Sequence, residues 1–376
     1  MTAIALLLVA APIVLFGYAY FAYPAILKAV AALRPVLPQG EPPREWPFIS
    51  ITVPAYNEEA SIRATLENLL SADYPADRRQ IVVISDASTD RTHEIVAEFA
   101  GRGVELLRLP QRRGKTVAEN AAAAVVRGDL VINMDASVRI LPHSLKALVR
   151  AFEDPAVGVA SGRDLSIGAV AVEGNQGESG YVGYEMWVRA LESKLDSIVG
   201  VSGCFYGIRR ELYDARFPEH LSRDFASALV AKERGFRAVS VDEAVCLVPR
   251  TSSLRSEFRR KIRTMARGLA TLWYKRHLMH PFRYRGFALM LISHKLCRWL
   301  FYLALPGALV GLVVLALHSR AAALLLAAVV IGTMLGVVGL RWPTGQRVPP
   351  VFALPGFILA SNLAGVLAWV KALRRE

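Results

Sequence analysis

A chain of 376 residues is long enough for two or three domains. At 53% hydrophobic it is too apolar for an ordinary soluble protein, and its net charge of +13 asks for anionic partners. Lys and Arg crowd behind the first apolar run and again in Arg250–Arg285, beside apolar segments, which favours lipid headgroups and phosphorylated substrates over nucleic acid. The three cysteines, Cys204, Cys246 and Cys297, show no metal spacing and read as reduced core or interface residues.

Ile4–Leu33 is one apolar run, with kinks expected at Pro12 and Pro24, and is long enough to span a bilayer. No positive charge precedes it and no small-residue cleavage site follows, so it reads as an anchor rather than a removable signal. Lys28, Arg34 and Arg44 come after it, which by the positive-inside rule makes the following region cytoplasmic. Pro35–Pro47 reads as a linker.

Strands are then expected at Phe48–Val53, stopped by Pro54, at Ile81–Ile84, at Val104–Leu107, at Leu130–Met134 and at Val157–Ser161. Helices are expected from Asn57 through Leu70, at His93–Ala100, at Lys115–Arg127 and at Pro142–Phe152. This alternation predicts a mostly parallel α/β sheet, with ligands at the carboxyl ends of the strands. Asp86 and Asp135 stand at two such ends. Asp86 and Asp90 also suit simple turn and cap roles.

Gly168–Gly183 reads as a mobile loop. Val199–Arg209 reads as a strand and turn around Gly203 and Gly207, Leu221–Gly235 as a helix, and Arg237–Val241 as a strand. Ser252–Arg285 is basic and amphipathic, with Trp273, Tyr274, Phe282 and Tyr284 suited to a membrane surface. Gly286–Trp299 looks interfacial rather than spanning. Leu300–Leu317 and Ala321–Leu340 form a spanning hairpin, and Val351–Val370 either spans or lies in the interface. The domains expected are therefore 1–34 (anchor), 35–47 (linker), 48–250 (cytoplasmic α/β domain), 251–299 (interface helices) and 300–376 (two or three spans).

Val53-Pro54-Ala55-Tyr56-Asn57-Glu58-Glu59, Ser85-Asp86-Ala87-Ser88-Thr89-Asp90, Arg113-Gly114-Lys115 with Asn120, and Asp135-Ala136-Ser137, in this order, resemble the membrane-bound family 2 glycosyltransferases, over about Ile49–Leu272. The resemblance implies the nucleotide-diphospho-sugar transferase fold (GT-A, Rossmann-like) with flanking transmembrane helices. It also implies an inverting transfer from a nucleotide sugar, UDP-linked by expectation, to an acceptor hydroxyl.

By that resemblance, Pro54, Tyr56 and Glu58 line the nucleotide and Asp86 holds its base, with Ser85 in place of the usual acidic partner. Asp135 matches the first aspartate of a D-x-D element that holds Mg²⁺ or Mn²⁺. Ser137 replaces the second, leaving one charge fewer and a contact through water. Lys115 suits the diphosphate. Asp224 matches the catalytic base, with Arg223 where an acidic residue is usual. An arginine beside an aspartate weakens it as a base unless the arginine points elsewhere. Gly203 and Cys204 match the acceptor-side turn.

Arg260 and Arg263 occupy the place of the family's Q-x-x-R-W motif, but Gln and Trp are absent, which argues against a processive synthase. Other readings remain for several of these residues. Glu58 suits a helix start, Lys115 a solvated position, Ser222 with Asp224 a helix cap, and Arg260 and Arg263 a lipid-facing charge.

The expected partners are a nucleotide-sugar donor, a lipid-linked or polysaccharide acceptor and membrane lipids, but no nucleic acid. The expected location is a bacterial-type inner membrane with the catalytic domain cytoplasmic. A non-catalytic membrane component of a polysaccharide assembly complex is the alternative. A transporter fits poorly, because the spans carry few ionisable residues away from their ends.

Overall fold

The structure, a computed structural model, describes residues 2–34, 43, 45–167, 176–249, 254–343 and 348–374. It divides into two compact units, residues 1–32, 168–183 and 251–376 in one and residues 33–167 and 184–250 in the other. Most of the expected linker and the first half of the expected loop, residues 168–175, lie outside the described residues.

The chain begins with α1 (Thr2–Gly17), a π-helical turn at Tyr18–Ala22 and α2 (Tyr23–Ala32). Helix α1 runs through Pro12. The irregularity falls just before Pro24, where a wider turn relieves the missing N–H and the ring's clash with the preceding carbonyl.

The unit of residues 33–167 and 184–250 follows in the order β1 (Ile49–Ala55), α3 (Ile62–Leu70), β2 (Arg79–Ser85), α4 (Thr92–Ala97), β3 (Val104–Arg108), α5 (Lys115–Ala122) and β4 (Leu130–Met134). After these come β5 (Arg139–Ile140), α6 (Ser144–Arg150), β6 (Val157–Ile167), α7 (Gln176–Leu195, which belongs to this unit only from Tyr184 on), β7 (Phe205–Arg209), α8 (Arg210–Tyr213), α9 (Arg223–Glu233) and β8 (Arg237–Pro249). The sheet order is β3-β2-β1-β4-β7-β6-β8-β5. Strand β1 pairs in parallel with β2 and β4, and β2 with β3. Strand β7 then runs antiparallel to both β4 and β6, so the sheet is mixed rather than nearly all parallel.

Strand β1 is buried on both faces, which explains its unbroken apolar run. Its polar residues pair across the sheet: Ser50 donates to Gln80 at 2.6 Å, and Thr52 to Asn133 at 2.9 Å. Ile62, Leu66 and Leu69 of α3 pack on Ile49, Ile51 and Ile132 in the main core. Each such side chain contributes roughly 1.5–3 kcal/mol by its burial.

Several expected boundaries move. Strand β1 includes Pro54, and α3 starts at Ile62 rather than Asn57. Asn57 is left-handed (φ 54), and the amides of Glu58 and Glu59 donate to Thr92 and Asp90 instead of opening a helix. Strands β6 and β8 extend beyond their apolar runs because they pair in parallel past the polar Asp164 and Glu243 stretches. The strand expected from Val199 begins only at Phe205. The predicted loop is helical from Gln176 onward.

The other unit continues with α10 (Leu254–Tyr274), α11 (Pro281–Leu291), a π-helical turn at Ile292–Leu296, α12 (Cys297–Ala316), α13 (Arg320–Leu340) and α14 (Pro350–Arg374). Among the described residues, four stretches are long and apolar enough to cross a membrane: Thr2–Ala32, Pro281–Ala316, Arg320–Leu340 and Pro350–Arg374. Small residues let these helices approach closely. Gly311 of α12 sits where a Cβ would lie 2.7 Å from the Ala5 carbonyl of α1, and Gly339 of α13 where one would lie 2.3 Å from the Phe352 carbonyl of α14. Val351–Val370 is thus part of a helix able to span.

Candidate active site

The carboxyl ends of β1, β2 and β4 open onto one set of loops, as expected for ligand binding in an α/β sheet. Beyond β2, Asp86 is 5% exposed and accepts from the backbone amides of Arg113 at 2.8 Å and Gly114 at 2.7 Å, one per carboxylate oxygen. Gly114 has φ 93, a conformation that suits glycine, and α5 starts at the next residue. Asp86 therefore holds the loop leading into α5.

Behind Asp86, the Ser85 hydroxyl meets Ser88 at 3.0 Å and His93 Nε2 at 2.7 Å, so a hydroxyl–imidazole pair stands where an acidic partner was expected. Burial and the neighbouring Arg108 draw the His93 pKa down. Tyr56 lies under the Arg112 guanidinium, 3.7 Å from its ring centre, a flat cationic stack of the size of a nucleobase. Glu58 accepts from Ser61 at 2.5 Å and its carbonyl receives the first amides of α3, so its observed contacts are those of a helix start. Pro54 is half-buried at the end of β1.

The start of α5 carries Lys115. Its ammonium is bonded to Asp135, beyond the end of β4, and donates to the Gly203 carbonyl at 2.7 Å. Both side chains of the pair remain 35% exposed, so the pair is half-buried and open to a ligand. Desolvation lowers the Lys115 pKa, but Asp135, Glu119 and Asp224 more than reverse this, and it ends well above its ordinary value. Lys115 is therefore a permanent cation. The Asp135 amide donates to the Cys204 carbonyl at 3.1 Å, which ties the aspartate to the 203–204 turn.

Asp224 lies in the first turn of α9. Its Oδ1 accepts from the Ser222 hydroxyl, and from the Phe225 amide at 2.8 Å. Its Oδ2 faces Gly203, so close that a Cβ there would sit 2.6 Å away. One oxygen is fixed and the other is turned toward the Gly203 turn. Arg223 points away from Asp224, 2% exposed. It bonds Asn120 and the carbonyls of Tyr213 and Ala215, and lies over the Tyr213 ring at 4.3 Å. The feared Arg223–Asp224 pairing is absent because the guanidinium is used in the core.

The described residues hold no group of three or more His, Cys, Asp or Glu arranged for a metal. A divalent ion in such a site needs only one or two carboxylates, with the remainder from substrate phosphate and water. Asp135 with the half-buried Ser137 fits that minimal set.

Residues 50–217 match the family model described as glycosyl transferase family 2. They form a family 2 glycosyltransferase domain. The chain is 28% identical over 191 residues to beta-monoglucosyldiacylglycerol synthase of a Nostoc strain, covering 50% of this chain and 41% of that protein. It is 28% identical over 252 residues to an N-acetylglucosaminyltransferase of Mesorhizobium japonicum, covering 60% of this chain and 56% of that one. The chain thus spans about half the length of these curated relatives. The mannosyltransferase PcManGT of Pyrobaculum calidifontis, solved in complex with GDP-Man and Mn²⁺, is similar in fold, with a TM-score of 0.73 at 24% identity over 98% of this chain and 99% of that one.

The fold thus brings Lys115, Asp135 and Gly203 of the matched residues together with Asp224, which lies seven residues beyond them, moors the α5 loop on Asp86 and places Arg112 on Tyr56. Arg260 and Arg263 lie on α10 of the other unit and are exposed. Three residues of the domain went unread in the sequence: Arg112, His93 and Glu119. Glu119 is 1% exposed, and burial pushes its pKa up to about 7 against the pull of Lys115 and Arg223. Its four-residue spacing from Lys115 on one helix was the available signal.

Proposed function

We propose that the chain is an inverting glycosyltransferase that moves a sugar from a nucleotide-diphospho-sugar, UDP-linked by preference, to an acceptor hydroxyl at the cytoplasmic face of a bacterial-type membrane. The observation that carries this reading is the cluster at the strand ends. A permanent cation, Lys115, stands beside Asp135, and Oδ2 of Asp224 lies against the Gly203 turn.

In this reading the acceptor oxygen attacks the anomeric carbon as its bond to the diphosphate breaks, with inversion. Asp224 Oδ2 takes the hydroxyl proton while Ser222 and the Phe225 amide hold the carboxylate by its other oxygen. Gly203 leaves space for the acceptor. Lys115 compensates the leaving diphosphate. Mg²⁺ or Mn²⁺, held by Asp135 with Ser137 through water, supplies further charge neutralisation when bound. Tyr56 and Arg112 stack on the base, and Pro54 and Glu58 border it. Because Asp86 is engaged with the α5 loop, base contact falls more heavily on this stack and on the Ser85–His93 pair.

The four apolar helices fit a membrane protein. With α10 and α11 basic and aromatic, the reading favours a lipid-linked or glycolipid acceptor, or a growing polysaccharide, delivered at the membrane surface. Named relatives such as beta-monoglucosyldiacylglycerol synthase support a lipid acceptor.

Asp224→Asn tests the assignment, because it keeps the shape and removes proton acceptance. Transfer should fall by about 10²–10⁴ in kcat, the usual value of general-base catalysis. Donor affinity should hold, measured by a screen of nucleotide sugars with detection of the released nucleoside diphosphate. A variant keeping more than about a tenth of wild-type transfer would remove Asp224 from the role of base.

A further inference from the structure

Beneath Lys115 lies a group of buried polar side chains that the reaction as described does not use. Glu119 sits one turn further along α5, 1% exposed, on the same face as Lys115. Asn133 of β4 and Tyr206 of β7 are direct partners across the antiparallel ladder, so their side chains leave the same face of the sheet. Arg223 enters from α9. Four atoms of this group, Glu119 Oε1, Asn133 Nδ2, Tyr206 Oη and Arg223 Nε, are buried with no hydrogen-bond partner among the described residues. Buried polar atoms are normally satisfied, so a group of four marks a built feature.

We propose that Glu119 is a positioning residue for the donor diphosphate, acting through Lys115 from this buried polar cluster. The inference rests on the glycosyltransferase reading above. Its physical basis is a charge count. The groups facing Glu119 are Lys115 on its own helix, Arg223 and Asp224 from α9, Asp135 beyond β4, Tyr206 from β7 and Tyr213 from α8. That gives three carboxylates against two cations.

Arg223 cannot move, being held by Asn120 and two carbonyls. Lys115 can, on a flexible stem with its head part-exposed. The ammonium is bonded to Asp135 and the Gly203 carbonyl, so Glu119 acts on it by charge alone. Ionised Glu119 offsets part of the Lys115 charge and opposes the incoming diphosphate, and neutral Glu119 leaves that charge to Asp135 and the diphosphate. Because burial brings the Glu119 carboxyl to about 7, the change falls near neutrality.

The test measures binding of UDP-glucose and GDP-mannose to the detergent-purified full chain with Mn²⁺, from pH 6 to 8.5. The diphosphate diester of these probes does not titrate in that range. The wild type should bind its preferred probe more weakly as pH rises through about 7. Glu119→Gln should flatten this dependence and bind about tenfold more tightly at pH 8, the scale of one lost charge interaction. Its donor KM should fall while kcat changes less than about threefold. Glu119→Asp should restore the pH dependence.

Wild-type-like affinity and pH dependence in Glu119→Gln would overturn the proposal. So would a parallel loss of binding, kcat and melting temperature in both variants, which is the mark of a purely structural residue. Should the glutamine variant fail to fold, a wild type whose probe affinity is flat across this range would overturn the proposal by itself. A wild type that binds neither probe would instead sink the donor reading, and this inference with it.

Discussion

Gly203→Ala is a small substitution aimed at the centre of the site. The added Cβ would lie 2.6 Å from Asp224 Oδ2, and ordinary contact begins at 3.4 Å, so the carboxylate must retreat by the difference, about 0.8 Å. Asp224 cannot retreat freely, because its other oxygen is held by Ser222 and the Phe225 amide. The backbone of Gly203 has no left-handed φ, so the strain is confined to that contact. A misplacement of about 1 Å in a reacting group costs on the order of 10²-fold in rate. The expected result is therefore a loss of about 10²-fold in kcat with donor affinity preserved, since the Gly203 carbonyl that receives Lys115 is unchanged. Overpacking should also destabilise by roughly 1–3 kcal/mol. Steady-state transfer kinetics and thermal unfolding in detergent measure both. In an Asp224→Ala background the stability cost of Gly203→Ala should vanish, since its cause has been removed. A Gly203→Ala enzyme with wild-type kcat, or a stability cost that persists without Asp224, would refute this account.

Transfer should require Mg²⁺ or Mn²⁺ with weak apparent affinity, and Ser137→Asp should tighten it several-fold by adding a carboxylate; full activity in excess chelator would remove the metal from Asp135. The Glu119 carboxyl is raised from an ordinary 4.5 to about 7, so the folded chain holds its proton over a range where the unfolded chain has lost it. Stability from this group is complete below pH 4.5, declines as pH rises to about 7 and is then flat, for a total on the order of 3 kcal/mol. Melting curves of wild type and Glu119→Gln at pH 5 and pH 8 should thus differ in slope, the wild type losing roughly 5–10 °C more over that interval; parallel curves would contradict it.

The strands that form the left half of the sheet were readable because β1, β2 and β4 are buried on both faces and so appear as apolar runs. Their ends located Asp86 and Asp135 for the same reason. The long β6 and β8 were read short, because their pairing resumes at Arg163 and Asp164 opposite Val245 and Cys246, beyond a register shift that leaves Asp242-Glu243 unpaired and breaks the apolar pattern. Asp224 was legible from the order of the motifs, but the direction of Arg223 was not. That direction depends on Asn120 and on two carbonyls in the Tyr213–Ala215 turn, a contact across more than one hundred residues for Asn120. Glu119 sat in an Ala-rich helix and resembled an ordinary surface charge until the packing of α5 against the sheet buried it.

The two amides held by Asp86 give that residue a reach beyond its own position. Its carboxylate anchors Arg113 and Gly114, and Lys115 follows immediately, so the strand end of β2 and the ammonium at Asp135 are joined by a tether three residues long. Cutting it with Asp86→Ala unties the entry to α5 and lets the Lys115 head drift from Asp135. Poor turnover in such a variant would then be a failure of diphosphate handling as much as of base recognition. A ligand that competes for the same carboxylate oxygens would loosen the same tether, so on the proposed placement of the donor an event at its base end would be felt mechanically at its phosphate end.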